Sequence, residues 1–201
     1  MTGLKKGTAK ITVSAKENKK LKKVFTVKVY ENNFNTNLAP FKANGNWLIN
    51  GEKLSVSNKS SNDFYMSEKV MNTDQYALET DIKYQNGIIN IFFATDGMDP
   101  FKQAYSVQFG PSENIRLFYF AGDTIKEQSM GKTINDGKYH HVKIEKTSNS
   151  VSVYVDGKKY IDHTFETVRD YYNQNTHVGI GLWDGALEVK NFKCSDVKKV
   201  P

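Results

Sequence analysis

Apolar and polar residues alternate with a period of two along most of this chain, and that pattern excludes most fold classes. The alternation runs through TAKITVS at 8–14 and KVFTVKV at 23–29. It returns over 53–57, 63–70, 76–84, 88–95, 104–109, 115–120, 139–146, 151–155, 177–183 and 186–193. A period of two sends successive side chains to opposite faces of a strand, whereas a helix needs an apolar stripe near 3.6. Asn86-Gly87, Asp96-Gly97, Asp136-Gly137 and Asp156-Gly157 punctuate the runs with residues that accept the positive φ of tight turns. Only 166–172 offers a short helical turn. Short strands spaced about 8–12 residues apart predict an all-β, two-sheet antiparallel β-sandwich or jelly roll. The first two strands form an N-terminal β-hairpin, too small to be stable unsupported. Residues 31–46, asparagine-rich with Pro40, read as a linker or loop.

Hydrophobic residues make up 38% of the 201, enough for a packed core and too many for intrinsic disorder. No apolar run approaches the ~18 residues of a membrane span, and no secretory leader follows Met1. Membrane insertion is therefore not expected, and the chain reads as a piece of a longer protein. One cysteine, Cys194, excludes a disulfide framework and a thiolate metal site. The net charge of +6 is unevenly spread: residues 1–30 hold nine lysines against one acid, Glu17, so the remainder carries a slight acid excess. Arg116 and Arg169 are the only arginines. Arginine's planar fork is what reads base edges and clamps phosphates, so nucleic acid is not an expected partner.

Strand parity supplies candidate site residues. In HVGIGLW (177–183), Val178, Ile180 and Leu182 take the core side. His177, Gly179, Gly181 and Trp183 then face out, making a shallow trough with an aromatic wall suited to the C–H face of a sugar ring. Trp183 tucked over the sandwich edge is the structural alternative. Asp184 follows, either as a carboxylate for vicinal hydroxyls or as a turn residue before Gly185. The same parity turns Glu79, Asn90, Ala94 and Gln108 outward. In IRLFYF (115–120), either Arg116 with Phe118 and Phe120 faces out, or Leu117 with Tyr119 does. If Glu79, Gln108, Arg116 and Trp183 share a sheet face, they form a polar cluster beside an aromatic. A ligand-free Glu79–Arg116 salt bridge is the alternative.

Catalytic motifs are thin. Glu79 and Asp81 share one strand face, but the paired-carboxylate strand of β-jelly-roll glucanases needs a further glutamate where Lys83, Tyr84 and Gln85 stand. His140 and His141, adjacent in a strand, point to opposite faces and cannot chelate one metal. No cofactor is required by any motif; Asp96 and Asp99 could supply oxygen ligands to a structural calcium, and otherwise form a plain turn.

Several strings carry a family resemblance: GNWLINGEKLSV (45–56), YALETDIKY (76–84), GKYHHVKIEKTSNSVSVYVDGKKYID (137–162) and HVGIGLWDGALEVKNF (177–192). Their order resembles that of concanavalin-A-like carbohydrate-recognition domains, and the last is most similar to carbohydrate-binding module family 66. Those are levan-binding modules attached to bacterial fructan hydrolases. The resemblance implies a non-catalytic, concanavalin-A-like module that holds a terminal fructosyl unit in a pocket on a sandwich face. Position by position, it carries over Trp183 and Asp184, Glu79, Tyr105 and Asp63. Ala94 stands where that pattern has an arginine, and by parity Tyr105 points inward with Val107. Residues 3–30 resemble the closing strands of bacterial group 2 immunoglobulin-like spacer domains.

The expected organisation is thus 1–31 as the end of such a spacer and 32–201 as the sugar-binding module. Expected partners are a polysaccharide or oligosaccharide, bound by a monomer within a multidomain protein, secreted or on a bacterial cell surface. Trp183, Asp184, Glu79, Asp63, Arg116, Gln108 and Tyr105 are the expected ligand-binding residues. A laminin-G-like adhesion domain and a glucanase-like hydrolase are the alternatives.

Overall fold

The computed structural model describes residues 7–14, 22–29, 34, 36–71 and 73–196. Gly7–Ser14 (β1) and Lys22–Val29 (β2) pair antiparallel from Gly7 opposite Val29 to Ser14 opposite Lys22, in a two-stranded sheet of their own. This is the expected hairpin.

Two long bent strands organise everything else. Lys53–Ser67 (β5) and His177–Asp196 (β14) run side by side and each passes from one sheet into the other. In the first sheet, 179–183 of β14 pair on one side with 62–66 of β5 and on the other with Ile88–Thr95 (β7). Beyond β7 follow Ala104–Phe109 (β8), Asn114–Phe120 (β9) and Thr124–Ser129 (β10), while the short Phe41–Ala43 (β3) closes the far edge against β5. In the second sheet, 186–196 of β14 pair with Tyr76–Gln85 (β6). His140–Lys146 (β11), Ser150–Val155 (β12) and Lys158–Thr164 (β13) extend it, and Leu48–Asn50 (β4) pairs with the start of β5. The one helix among the described residues, α1, is a single turn at Asp170–Asn173.

The bend in β14 falls at Asp184 (φ 59°) and Gly185 (φ 102°), and that in β5 at Ser60 (φ 55°). Strands that change sheets do so at bulges of this kind. Asn86 and Gly87 both have positive φ, the backbone of a type I′ hairpin turn, as do Asp156 and Gly157. Gly87 is further constrained by space: a Cβ there would run into the carbonyl oxygen of Asp184 and lie 2.5 Å from that of Trp183. The β6–β7 turn therefore packs directly on the bend of β14.

Every second residue of the central strands enters one core. Ile180, Leu182 and Val189 of β14 meet Ile89 and Ile91 of β7, Leu78 and Ile82 of β6, and Val142 and Val153 of β11 and β12, all at most 1% exposed. Burying each such side chain contributes about 1.5–3 kcal/mol, which is what holds the sheets face to face.

The all-β sandwich is as expected, with three corrections of detail. The runs 53–57 and 63–70, like 177–183 and 186–193, are each parts of one bent strand. Residues 41–43, expected in a loop, form β3. β4, β10 and β13 were not expected as strands: β4 is only three residues long, and β10 and β13 are sheet edges whose lysines and acids face solvent and blur the alternation.

Candidate functional site

The outward face of the first sheet is built by the residues left over from the core. On β14, Val178, Ile180 and Leu182 are fully buried, while Trp183 is 44% exposed. Gly181 stands opposite Asn90 on β7; Asn90 stands opposite Gln108 on β8; Gln108 stands opposite Arg116 on β9; and Arg116 stands opposite Glu127 on β10. Cross-strand partners point to the same side of a sheet, so these residues form one polar row across five strands. Trp183 begins the neighbouring row, opposite Ile88. IRLFYF thus resolves with Arg116, Phe118 and Phe120 outward and Ile115 and Leu117 in the core.

Phe92, Phe101, Phe118 and Phe120 pack over the other end of this sheet with centroids 4.9–5.9 Å apart, edge to face except for the tilted Phe92–Phe120 pair. Gly181 permits this, since a Cβ there would lie 2.8 Å from Phe92 and 2.9 Å from Phe101. Trp183 and the Arg116–Glu127 end of the row are left uncovered, with Asn90 and Gln108 buried between them. Beside them a cavity of about 240 Å³ is lined by Ile88, Gln108, Asn114, Arg116 and the Gly110–Ser112 loop. Drug-sized ligands occupy about 300–1,000 Å³, so this space suits a single ring.

The polar groups are partly committed. Gln108 Nε2 donates to Asn90 Oδ1 at 2.9 Å, with both side chains buried. Whichever way the two amides are turned, that bond leaves one carbonyl oxygen and one NH₂ of the pair for a ligand. Arg116 Nε donates to Glu127 Oε2 at 3.0 Å, and Asn114 Nδ2 donates to the other oxygen. The bond from Arg116, followed by that from Asn114, holds the Glu127 carboxyl below its ordinary range. Among the described residues the terminal nitrogens of Arg116 have no protein partner and can donate to a bound hydroxyl pair.

Of the expected ligand residues, the structure brings Trp183, Gln108 and Arg116 to this face. Asp184 adjoins it in the bend, with Oδ1 accepting the Ser60 N–H at 3.3 Å. Glu79 lies elsewhere. It faces out from β6 in the second sheet, with Oε2 3.9 Å from both His141 Nε2 and Lys193 Nζ. The Glu79–Arg116 pair is therefore corrected to Arg116–Glu127, because β6 and β9 belong to different sheets. Asp63 is opposite Leu182 and so turns toward the interior; it is 7% exposed, accepts from Ser61 Oγ at 3.1 Å and packs on Gly45. Tyr105 is 5% exposed, as its inward parity predicts, and its hydroxyl accepts the Arg169 N–H at 3.3 Å.

Ala94 is also corrected. A bulge between Phe92 and Ala94 reverses the parity, so Ala94 joins the core opposite Tyr105. Glu127 and Asn114 were missed: β10 carried no strand signal, and Asn114 precedes the apolar run that did. The Asp96 and Asp99 carboxylates accept the Met98 and Phe101 N–H groups, the plain turn reading. His140 and His141 do point apart, His140 to Asp136 and Asp156 and His141 to Asp81. Among the described residues no three His, Cys, Asp or Glu side chains group as a metal site, and no helix is long and apolar enough to cross a membrane.

A two-sheet antiparallel sandwich with one sheet face left open, carrying a tryptophan and a row of amide and guanidinium groups, defines the class: a lectin-like β-sandwich domain. Residues 25–195 match the model of the 3-keto-alpha-glucoside-1,2-lyase-like domain, and the chain belongs to that family. It is 48% identical over 202 residues to a fructan beta-fructosidase of Streptococcus mutans serotype c, spanning all of this chain but only 14% of that protein's length. Among solved structures it resembles the carbohydrate-binding module CBM66 from Bacillus subtilis, at 19% identity and a TM-score of 0.67, covering 81% of this chain and 99% of the other. A second Bacillus subtilis protein, of unknown function and galectin-like fold, matches at 11% identity and a TM-score of 0.63 over 84% and 95% of the two chains. These two likenesses establish the shared fold.

Proposed function

We propose that this domain is a non-catalytic carbohydrate-binding module that holds a terminal fructosyl unit of a β-fructan such as levan, and so keeps a tethered hydrolase on its polymer. The observation that carries this reading is the exposure of Trp183 on the same sheet face as the Asn90–Gln108–Arg116 row. Trp183 supplies an apolar platform for one face of a sugar ring. The spare amide group of Gln108, which Asn90 holds in place, exchanges hydrogen bonds with its hydroxyls, and Arg116 adds charge-assisted ones. Asp184 fixes the bend that presents the indole. The relative at 48% identity, a fructan beta-fructosidase far longer than this chain, supports both the sugar class and the tethering. It also supports an extracellular, bacterial setting.

Replacing well-solvated hydroxyls leaves little surplus free energy, so the expected Kd is about 10 μM to 1 mM. Isothermal titration with fructose, levanbiose and levan, against glucose, galactose and inulin, tests the reading. Saturable heat with levan fragments that is reduced in Trp183→Ala supports it; silence on every fructoside overturns the fructan assignment.

A second reading is favoured by one observation. His141 Nδ1 lies 2.7 Å from Asp81 Oδ1, with Glu79 also beside the ring, an acid–base set on the second sheet. If that set cleaves glycosides, incubation with fructan and glucan releases reducing sugar and Asp81→Asn abolishes the release.

A further inference from the structure

A second cleft lies on the inner side of the first sheet, between β8, β9 and the edge strand β10 and the 165–169 segment, on the far side of those strands from Gln108 and Arg116. Its volume is about 560 Å³, within the range of small-molecule sites. Tyr105 and Tyr119, cross-strand neighbours with ring centroids 4.8 Å apart, form one wall and Phe165 another. Arg169 stands at its mouth. Its Nε donates to Tyr119 Oη at 3.0 Å, and its guanidinium carbon lies 5.8 Å from the Tyr119 ring centroid. This anchors an exposed guanidinium, and among the described residues no carboxylate pairs with it. Asp123 and Thr167 line the same cleft. Among the described residues the Asp123 carboxylate has one partner, the Thr124 N–H, which donates to Oδ1 at 3.1 Å.

The chemistry of this lining selects its ligand. Rings offer an apolar surface, a fixed guanidinium offers paired donors, and a carboxylate and a hydroxyl offer acceptors. An anion would be drawn to Arg169 and repelled by Asp123, whereas a neutral polyol satisfies both, since each hydroxyl donates and accepts. We propose that the Tyr105–Tyr119–Arg169 cleft is a second sugar-binding site, taking a neutral monosaccharide unit of a fructan, so that the domain is bivalent. This rests on the carbohydrate reading above.

The strands dictate how the two sites relate. Tyr105 and Gln108 on β8, like Arg116 and Tyr119 on β9, are three positions apart, so they point to opposite sides of the sheet about 10 Å apart along the strand. A chain cannot thread the sheet between them. Two different chain ends are therefore bound, which raises avidity on a branched polymer.

Titration of levanbiose by calorimetry into the intact chain, Trp183→Ala, Arg169→Ala and the double variant tests this, with Asp123→Asn as an isosteric second probe of the cleft and thermal melts to confirm folding. Two equivalents in the wild type, one in each single variant and none in the double are expected, with Asp123→Asn weakening one site about tenfold. A single equivalent in the wild type that Trp183→Ala loses and Arg169→Ala keeps, or an Arg169→Ala protein that still takes two, overturns the second site and leaves the first untouched. Loss of binding in Arg169→Ala with none in Trp183→Ala would instead overturn the first site and retain the second. No uptake by the wild type defeats both.

Discussion

Trp183 and Asp184 are consecutive, yet they occupy opposite mechanical roles: the indole projects from a regular strand with 44% of its surface exposed, and the next residue turns at φ 59° to bring its carboxylate onto the Ser60 N–H. Ser60 is itself the bend of the neighbouring strand. One hydrogen bond thus joins the two points at which β14 and β5 leave the first sheet. The Asn58 amide reinforces the join, donating to Ser61 O at 3.1 Å and Leu182 O at 3.3 Å. This pair of bends sets the direction of the strand from which the indole projects.

Replacing Trp183 with alanine should therefore separate binding from stability. An exposed side chain contributes within about 0.5 kcal/mol to folding. Losing the platform costs about 1–2 kcal/mol of binding, a Kd weakened roughly 5- to 30-fold. Calorimetric titration with levanbiose beside a urea melt reads both quantities. An unchanged Kd would remove Trp183 from the site.

Gly87→Ala should do the reverse and damage both. The residue sits at φ 75° with no room for a Cβ against the Trp183 and Asp184 carbonyls. Strain of this kind costs about 1–3 kcal/mol, and relief requires the β6–β7 turn to move off the bend. The expected result is a midpoint lowered by several degrees together with weaker sugar binding. Full binding in a destabilised protein would show that the bend does not orient Trp183.

Much of this arrangement is legible in the residues. HVGIGLW alone predicts which side of β14 is apolar, because alternation needs no tertiary information once one face is buried. Two things hid the rest. Sheet membership depends on where β5 and β14 bend, and a single Asp-Gly or Ser-Ser step does not announce that a strand changes sheets; Glu79 was for that reason grouped with Arg116. Parity also fails at bulges, as it did at Ala94, where one extra residue flips the face. Glu127 was invisible because its strand is a polar edge.

Acid should weaken the fold, and the direction follows from three carboxyls. The Tyr139 hydroxyl, then Lys83 and Lys53, holds Glu188 at about 2. The His140 ring holds Asp136 low, and for Asp156 the bonds from His140 and the His141 N–H outweigh the opposing effect of burial. A carboxyl depressed on folding stabilises above its unfolded pKa, about 3.9–4.3, and loses that contribution as pH falls through its folded value. Stability to urea should be level on this account above about pH 5 and decline from about pH 4 toward 2. Glu188→Gln should be less stable than the parent at neutral pH, with the gap closing toward pH 2. A gap independent of pH would mean that the Glu188 charge is not what its partners hold.

Lys146 has the opposite sign. It is fully buried, with Nζ donating to Asp74 O at 2.8 Å, Thr147 O at 3.2 Å and Asn173 Oδ1 at 3.1 Å, and lying 4.0 Å from the Tyr172 ring centroid. It ties β11 to the one-turn helix that flanks the tyrosine cleft. Burial lowers its pKa to about 8. Below that value folding must carry a desolvated charge; between about 8 and the unfolded value near 10.4 the unfolded chain binds the extra proton, so stability rises with pH across that window. Lys146→Met removes the titration but strands three acceptors, each costing about 1–3 kcal/mol when buried without a donor. Because removing the desolvated charge offsets part of that penalty, the variant should lose about 2–4 kcal/mol at pH 7 and show no rise between pH 8 and 10. A variant as stable as the parent at pH 7 would show that the acceptors find other donors and that Lys146 is not the tie between β11 and α1.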